Sequence, residues 1–176
     1  IVLLYQIHSS KFYTLKQVPR KKIIGDALIT KIKGIPIGVL TADCAPILLL
    51  DQKKKIIAAV HSGWKGAYKN IVPKVLKQFI KLGSHKKDII AVIGPAIGQK
   101  NYEVGKEFKL KFIKKSKKNR IFFKLKQKKI YFDLIKFIHY QLISFGIFKI
   151  DVIKVDTFDK KNNFFSARRS LKKNEP

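Results

Sequence analysis

Residues 41–66 read Thr41-Ala-Asp-Cys44-Ala-Pro46-Ile-Leu-Leu-Leu-Asp51, then Gln-Lys-Lys-Lys, then Ile56-Ile-Ala-Ala-Val60-His61-Ser-Gly63-Trp64-Lys65-Gly66. The stretch holds the chain's one cysteine, its one tryptophan and one of its four histidines. Apolar runs at 47–50 and 56–60 flank a polar turn. Runs of this length, rich in Ile, Leu and Val and bounded by charge, Pro or Gly, predict buried strands. Pro46 biases Ala45 toward an extended conformation. The two runs therefore predict a hairpin with Cys44 at its entry and His61 at its exit, two ends that are close in space. A strand end is a rigid mount for a reactive side chain, and the loop beyond it is free to meet a ligand. Taken singly, Cys44 reads as a small core hydrophobe and His61 as a hydrogen-bonded core histidine. Their pairing at one end of a hairpin is what points to a site.

Composition narrows the classes. At 176 residues, 46% of them apolar, one domain with a real core is expected, and residues 1–176 are read as that domain. One cysteine excludes an internal disulfide framework and suits a reducing, cytoplasmic setting. No apolar run is long enough to cross a bilayer, and no signal-peptide pattern is present. The chain has no methionine and starts inside an apparent strand, so we expect an N-terminal truncation. The net charge is +28, which raises nucleic-acid binding. However, all but four of the 39 basic residues are lysines, the exceptions being Arg20, Arg120, Arg168 and Arg169, and they are spread along the chain. No aromatic RNA-binding pattern, Cys/His finger or helix-turn-helix accompanies them. Weak, salt-sensitive attraction to polyanions is the expectation.

Along the rest of the chain, residues 2–7 predict a strand that delivers Gln6-Ile-His8-Ser9. Residues 12–18, 27–30 and 35–40 predict further strands. Residues 70–82 carry Ile71, Val75, Leu76, Phe79 and Ile80 at helical spacing, with Asn70 as N-cap and Gly83 beyond the end. Residues 89–93 predict a strand running into Gly94-Pro95, then a loop with Tyr102 and Glu103. A short helix over 107–113, a hairpin over 121–131, a helix with Leu134, Ile138 and Leu142 stopped at Gly146, and a strand over 150–155 complete the pattern. His85 reads as solvated and His139 as a helix-face residue. The tail carries Arg168-Arg169, which reads as a solvated basic run or an anion site. The mixed pattern predicts the α+β class.

Taken in order, Gln6-Ile-His8-Ser9, Asp26-Ala-Leu-Ile-Thr30, Thr41-Ala-Asp-Cys44-Ala-Pro46, Ala59-Val-His61-Ser-Gly-Trp64-Lys-Gly66, Ile93-Gly-Pro-Ala-Ile97 with Tyr102-Glu-Val-Gly105, and Phe164-Phe-Ser-Ala-Arg-Arg169 form a recognisable series. It resembles the laccase-domain family, also called the multicopper polyphenol oxidoreductase family. Its members are described as zinc-dependent purine nucleoside phosphorylases with adenosine deaminase activity. The resemblance spans nearly the whole chain. It implies two packed mixed β-sheets flanked by helices in α/β/β/α layers. It also implies a metal held by His8, Cys44 and His61, and substrate contacts at Lys65, Tyr102 and Arg168. Lys65 stands where the family commonly has Arg, so its charge is kept and its bidentate fork lost. Asp156 stands where the family often has Cys.

One thiolate and two imidazoles suit Zn²⁺ with a fourth position left open. Such an ion lowers the pKa of bound water to about 7. That chemistry serves deamination at C6 of adenosine. In phosphorolysis, phosphate attacks ribose C1′ and the purine leaves, with Lys65 or Arg168 balancing phosphate charge. Three other classes stay open. Copper at the same trio would support laccase-like oxidation of polyphenols, although several copper centres need many histidines. A metal-free thiol hydrolase or amidase would use Cys44 as nucleophile and His61 as base. A basic nucleic-acid-binding module would bind oligonucleotides without turnover.

Overall fold

The apolar runs of residues 41–66 pair along their full length in the computed structural model, which describes residues 1–173. In chain order the first elements are β1 (Phe12–Leu15), β2 (Ala27–Thr30), β3 (Ala45–Asp51), β4 (Ile56–Ser62), α1 (Trp64–Tyr68) and α2 (Ile71–Lys81). Then come β5 (Ile89–Ile93), β6 (Glu103–Val104), α3 (Lys106–Lys115), β7 (Phe123–Lys126) and β8 (Lys129–Phe132). The last are α4 (Leu134–Phe145), β9 (Lys149–Val152) and α5 (Ala167–Lys173). Six strands form a mixed sheet in the order β1-β2-β4-β3-β5-β9, and β6-β8-β7 form a second, antiparallel sheet. The β1/β2 and β5/β9 pairs are parallel. Helices flank the sheets, so the architecture is α+β, as expected.

Period-two burial places the sheet. In β3, Ala45, Ile47, Leu49 and Asp51 are buried, while Leu48 and Leu50 point the other way. The inner face packs on α2 through Val72, Val75, Leu76 and Phe79, and α4 adds Phe137, Ile138 and Leu142 to the same core. Apolar residues at helical spacing need such a partner face, because an isolated helix of this length is marginal in water. On the outer face, Leu28 is buried with Leu4 and Leu15, whereas Leu48 stays 55% exposed.

An aromatic cluster joins the helices to the small sheet. Phe112 stacks on Phe108 at 4.9 Å and meets Phe132 at 4.9 Å and Phe137 at 5.3 Å. Phe108 in turn meets Trp64 at 5.0 Å, and Tyr102 meets Phe132 at 5.9 Å. The cluster therefore sets where the segments after β4 and β5 begin.

Several elements differ from the sequence reading. Residues 2–7 and 35–40 are extended but pair only at the isolated bridges Val2↔Ile37 and Tyr5↔Ile24. Pro36 has no N–H to continue a ladder. Asn70 does precede α2, but in the left-handed region at φ 59°, and its side chain makes no cap bond. Its Oδ1 instead accepts from Gln141 Nε2 at 3.0 Å and from Lys115 Nζ at 3.2 Å. Asp133 caps α4 by accepting from Lys136 N–H at 2.8 Å, and Gly146 ends that helix at φ 97°, a conformation that favours glycine. The basic tail forms α5, whose first turn donates Arg169 N–H to Ser166 Oγ at 3.1 Å. Among the described residues, no helix is long and apolar enough to cross a membrane.

Phe112 is fully buried at the centre of the aromatic cluster. Phe112→Ala is expected to cost about 3–5 kcal/mol, read as a shift in urea midpoint. Loss of less than about 1 kcal/mol would place the weight of the cluster elsewhere.

Candidate metal centre

β3 and β4 bring Cys44 and His61 to one end of the sheet. Ala45 pairs with Ser62, and Pro46 with His61. Cys44 therefore sits at the first position outside the ladder, opposite the residues that follow His61. His8 arrives from the N-terminal segment. Ligand atoms of His8, Cys44 and His61 all lie within 4.8 Å of one another. The two imidazoles meet edge to face, 4.9 Å between centroids.

Flanking residues explain why His8 is held there. Gln6 makes two hydrogen bonds to Leu40: its Nε2 donates to the carbonyl and its Oε1 accepts the N–H, each at 2.8 Å. That clasp closes the loop before Cys44. Ser9 donates both its N–H and its hydroxyl to Asp26 Oδ2, each at 2.6 Å. Between them His8 adopts φ 55° and donates its own N–H to Asp26 Oδ1 at 2.9 Å. Left-handed backbone at a non-glycine residue is uncommon, and here two flanking clamps enforce it.

Asp26 is fully buried at the start of β2. Besides these bonds it lies 2.9 Å from His61 Nδ1 through Oδ1. Burial opposes ionisation of Asp26, but hydrogen bonds from Ser9 and His61 overcome it and hold the carboxyl below its ordinary pKa. Burial also pushes His61 below its ordinary value, which the bond to Asp26 only partly offsets. A neutral ring facing a carboxylate must place its proton on Nδ1, so the contact is a hydrogen bond rather than an ion pair. Nε2 then keeps its lone pair for a metal. This carboxylate–imidazole arrangement typically fixes the ring and raises its basicity toward a metal.

The donor set fits zinc: two imidazoles and a thiol match its preference for N and S ligands. Gly63 supplies a second fit. A Cβ at Gly63 would lie 2.7 Å from Cys44 Sγ and 3.2 Å from His8 Cδ2. Only glycine lets the Cys44 thiol and the His8 ring pack this close. Without a cation, burial pushes the Cys44 thiol up to about 12, and Asp43 and Asp26 add to the effect. A bound metal deprotonates a coordinating thiol outright.

The remaining residues singled out in the sequence fall into two groups. Tyr102 is buried within electrostatic reach of Cys44, Arg168 and Asp43; burial and then Cys44 push its phenol well above the ordinary value, with Arg168 opposing. The Arg168 guanidinium lies 5.3 Å from the Tyr102 ring centroid and donates to the Glu103 carbonyl at 3.1 Å. Lys65 is exposed in α1, its Nζ 5.8 Å from the Trp64 ring. Of the other histidines, His85 is exposed, and His139 lines a separate cleft with Lys100, Lys136 and Lys154. Asp156 ties a turn together, accepting from Gly98 N–H at 2.9 Å and Asn101 Nδ2 at 2.7 Å.

Asp26 and Gly63 are the parts of the site that residue type did not single out. The signal for Asp26 was an acid directly ahead of a buried strand; the signal for Gly63 was a glycine between His61 and Trp64. Asp26→Asn keeps the volume but loses the charge and one acceptor oxygen. We expect zinc affinity to fall about 10–100-fold, measured by competition with a chromogenic chelator. Gly63→Ala should also lose zinc retention while keeping native circular dichroism. Unchanged affinity in both variants would remove Asp26 and Gly63 from the centre.

Comparison with known proteins places the whole chain among relatives. The family described as multi-copper polyphenol oxidoreductase laccase matches residues 1–174. A purine nucleoside phosphorylase of Rickettsia conorii is 35% identical over 178 residues, covering 100% of this chain and 73% of that protein. A second, from Rickettsia prowazekii, is 35% identical over 172 residues, covering 97% of this chain and 71% of that one. In structure, the hypothetical protein YfiH of Bacillus licheniformis superposes with a TM-score of 0.87 at 26% identity, covering 97% of this chain and 69% of that one. With the family match running from residue 1 to 174, this chain belongs to the multi-copper polyphenol oxidoreductase laccase family.

Proposed function

We propose that the chain is a zinc-dependent purine nucleoside phosphorylase that also deaminates adenosine, acting on adenosine, inosine and methylthioadenosine. The observation that carries this reading is the convergence of His8, Cys44 and His61, with the Cys44 thiol and the His8 ring packed against Gly63 where no Cβ would fit. Relatives named purine nucleoside phosphorylase support the substrate class. We place the protein in the cytoplasm, where a free thiol stays reduced.

Zn²⁺ held by these three side chains would supply a Lewis acid beside the substrate. The protein's own groups do the rest. Asp26 keeps His61 in one tautomer and His8 in one backbone conformation. Tyr102 offers a buried ring wall next to the centre. Arg168 and Lys65 are assigned to phosphate, whose oxygen attacks ribose C1′ as the C1′–N9 bond breaks. The purine leaves with the bonding electrons. A guanidinium and an ammonium at phosphate would bind and orient the nucleophile, while the negative charge that grows in the reaction develops on the departing purine.

A thiol hydrolase would need Cys44 as a thiolate in the absence of metal. Burial and the nearby carboxylates act against that. Copper would use the same three ligands; the described residues bring together one such group.

The test is chromatography of adenosine incubated with the protein, with and without phosphate. Adenine should form only with phosphate, and inosine in either case. Neither product from zinc-loaded protein would end the assignment. Two variants separate the rivals. Cys44→Asp still offers a ligand but is a poor substitute for a thiolate nucleophile; it should keep reduced turnover that added Zn²⁺ raises. His8→Ala should lose both zinc and turnover. Near-normal turnover in His8→Ala without zinc would favour a Cys44–His61 dyad.

A further inference from the structure

Asp43 sits beside Cys44 yet takes no part in the His61–Asp26 network. It is 8% exposed and adopts φ 78°. Its carboxylate faces the C-terminal segment. Oδ1 accepts from Thr157 Oγ1 at 2.8 Å; Oδ2 accepts from Ser166 Oγ at 3.0 Å and from Arg168 N–H at 2.7 Å. Its backbone carbonyl accepts from Ile97 N–H at 3.0 Å. One side chain thus binds the residues after β9 and the start of α5 directly to the neighbour of Cys44. Hydrogen bonds to an ionised carboxylate are about twice as strong as neutral ones.

The two adjacent arginines differ in what they can still do. Arg169 is taken up by structure: its guanidinium donates to the carbonyls of Thr157, Phe158 and Phe164 at 3.1, 3.0 and 2.7 Å. Arg168 makes one side-chain hydrogen bond among the described residues, to the Glu103 carbonyl, and lies over Tyr102. Among the described residues its other guanidinium N–H groups have no hydrogen-bond partner. Its backbone is fixed by Asp43 and its side chain by Tyr102 and Glu103.

We infer that Asp43 is a positioning residue: by holding the Arg168 backbone at the residue next to Cys44, it sets the Arg168 guanidinium as a phosphate-binding group of the site. The inference rests on the phosphorolysis reading above and adds how the anion is placed. It also assigns different roles to Arg168 and Arg169.

Asp43→Asn is the test, because asparagine tolerates positive φ while losing the charge and one acceptor. In zinc-loaded protein, KM for phosphate should rise roughly tenfold, the scale of one charge-assisted hydrogen bond. The change in kcat should be smaller, and zinc content should not change. Arg168→Ala should raise the same KM. Adding Asp43→Asn to Arg168→Ala should then change it no further, since Asp43 acts through Arg168. Thr157→Val removes one donor to Asp43 and keeps the side-chain shape; it should raise KM in the same direction if Asp43→Asn fails to fold. Additive effects in the double variant would overturn the inference. So would zinc loss in Asp43→Asn, or a KM unchanged in both Asp43→Asn and Thr157→Val. Direct titration with inorganic phosphate separates this claim from the reaction itself. Phosphate binding that Asp43→Asn weakens, without any phosphorolysis, would retain the inference and overturn the phosphorylase reading. Wild-type protein that binds no phosphate would overturn the inference.

Discussion

The Asp26 carboxylate is the constraint on which the site depends. It is fully buried, and leaving such a group without partners would cost several kcal/mol. Its partners come from both sides of the centre: the backbone of His8 and Ser9, the Ser9 hydroxyl, and the His61 ring. The requirement to satisfy one buried charge therefore sets the position of two histidines that are 53 residues apart in sequence. It also joins the irregular N-terminal segment to the rigid sheet. β2 carries the carboxylate and pairs with β4, which carries His61.

A second buried carboxylate does the corresponding job on the other flank. Asp43 joins the loop before β3 to the residues that follow β9 and lead into α5. Cys44 lies between these two anchors. The thiol is thereby held at the hairpin mouth by backbone pairing on one side and by tail contacts on the other. The aromatic cluster adds the wall, since Trp64 and Tyr102 each leave the site region and enter the same packed group of phenylalanines.

Much of this was legible in sequence where the signal was local. The β3/β4 hairpin followed from two apolar runs about a polar turn, and α2 followed from apolar residues at helical spacing. The approach to Cys44 was not legible. The apolar run 35–40 reads as a strand, but Pro36 and the lack of a continuous neighbour leave it paired only at Ile37. The tail also misled, because lysine and arginine hide a helix whose start depends on the Ser166 cap. The roles of Asp26 and Asp43 were out of reach for another reason. Their partners lie 17–35 and 114–125 residues away, and composition says nothing about pairings at that range. The double arginine illustrates the same limit: two identical neighbours in sequence, one bonded to three carbonyls and the other, among the described residues, to one.

The central claim is that His8, Cys44 and His61 hold one zinc ion. X-ray absorption at the zinc edge, on protein purified without added metal, tests it most directly. The account predicts one sulfur scatterer at about 2.3 Å and nitrogen or oxygen scatterers at about 2.0–2.1 Å. The sulfur contribution should vanish in Cys44→Asp. A zinc shell without sulfur in the wild-type protein, or copper in its place, would contradict it.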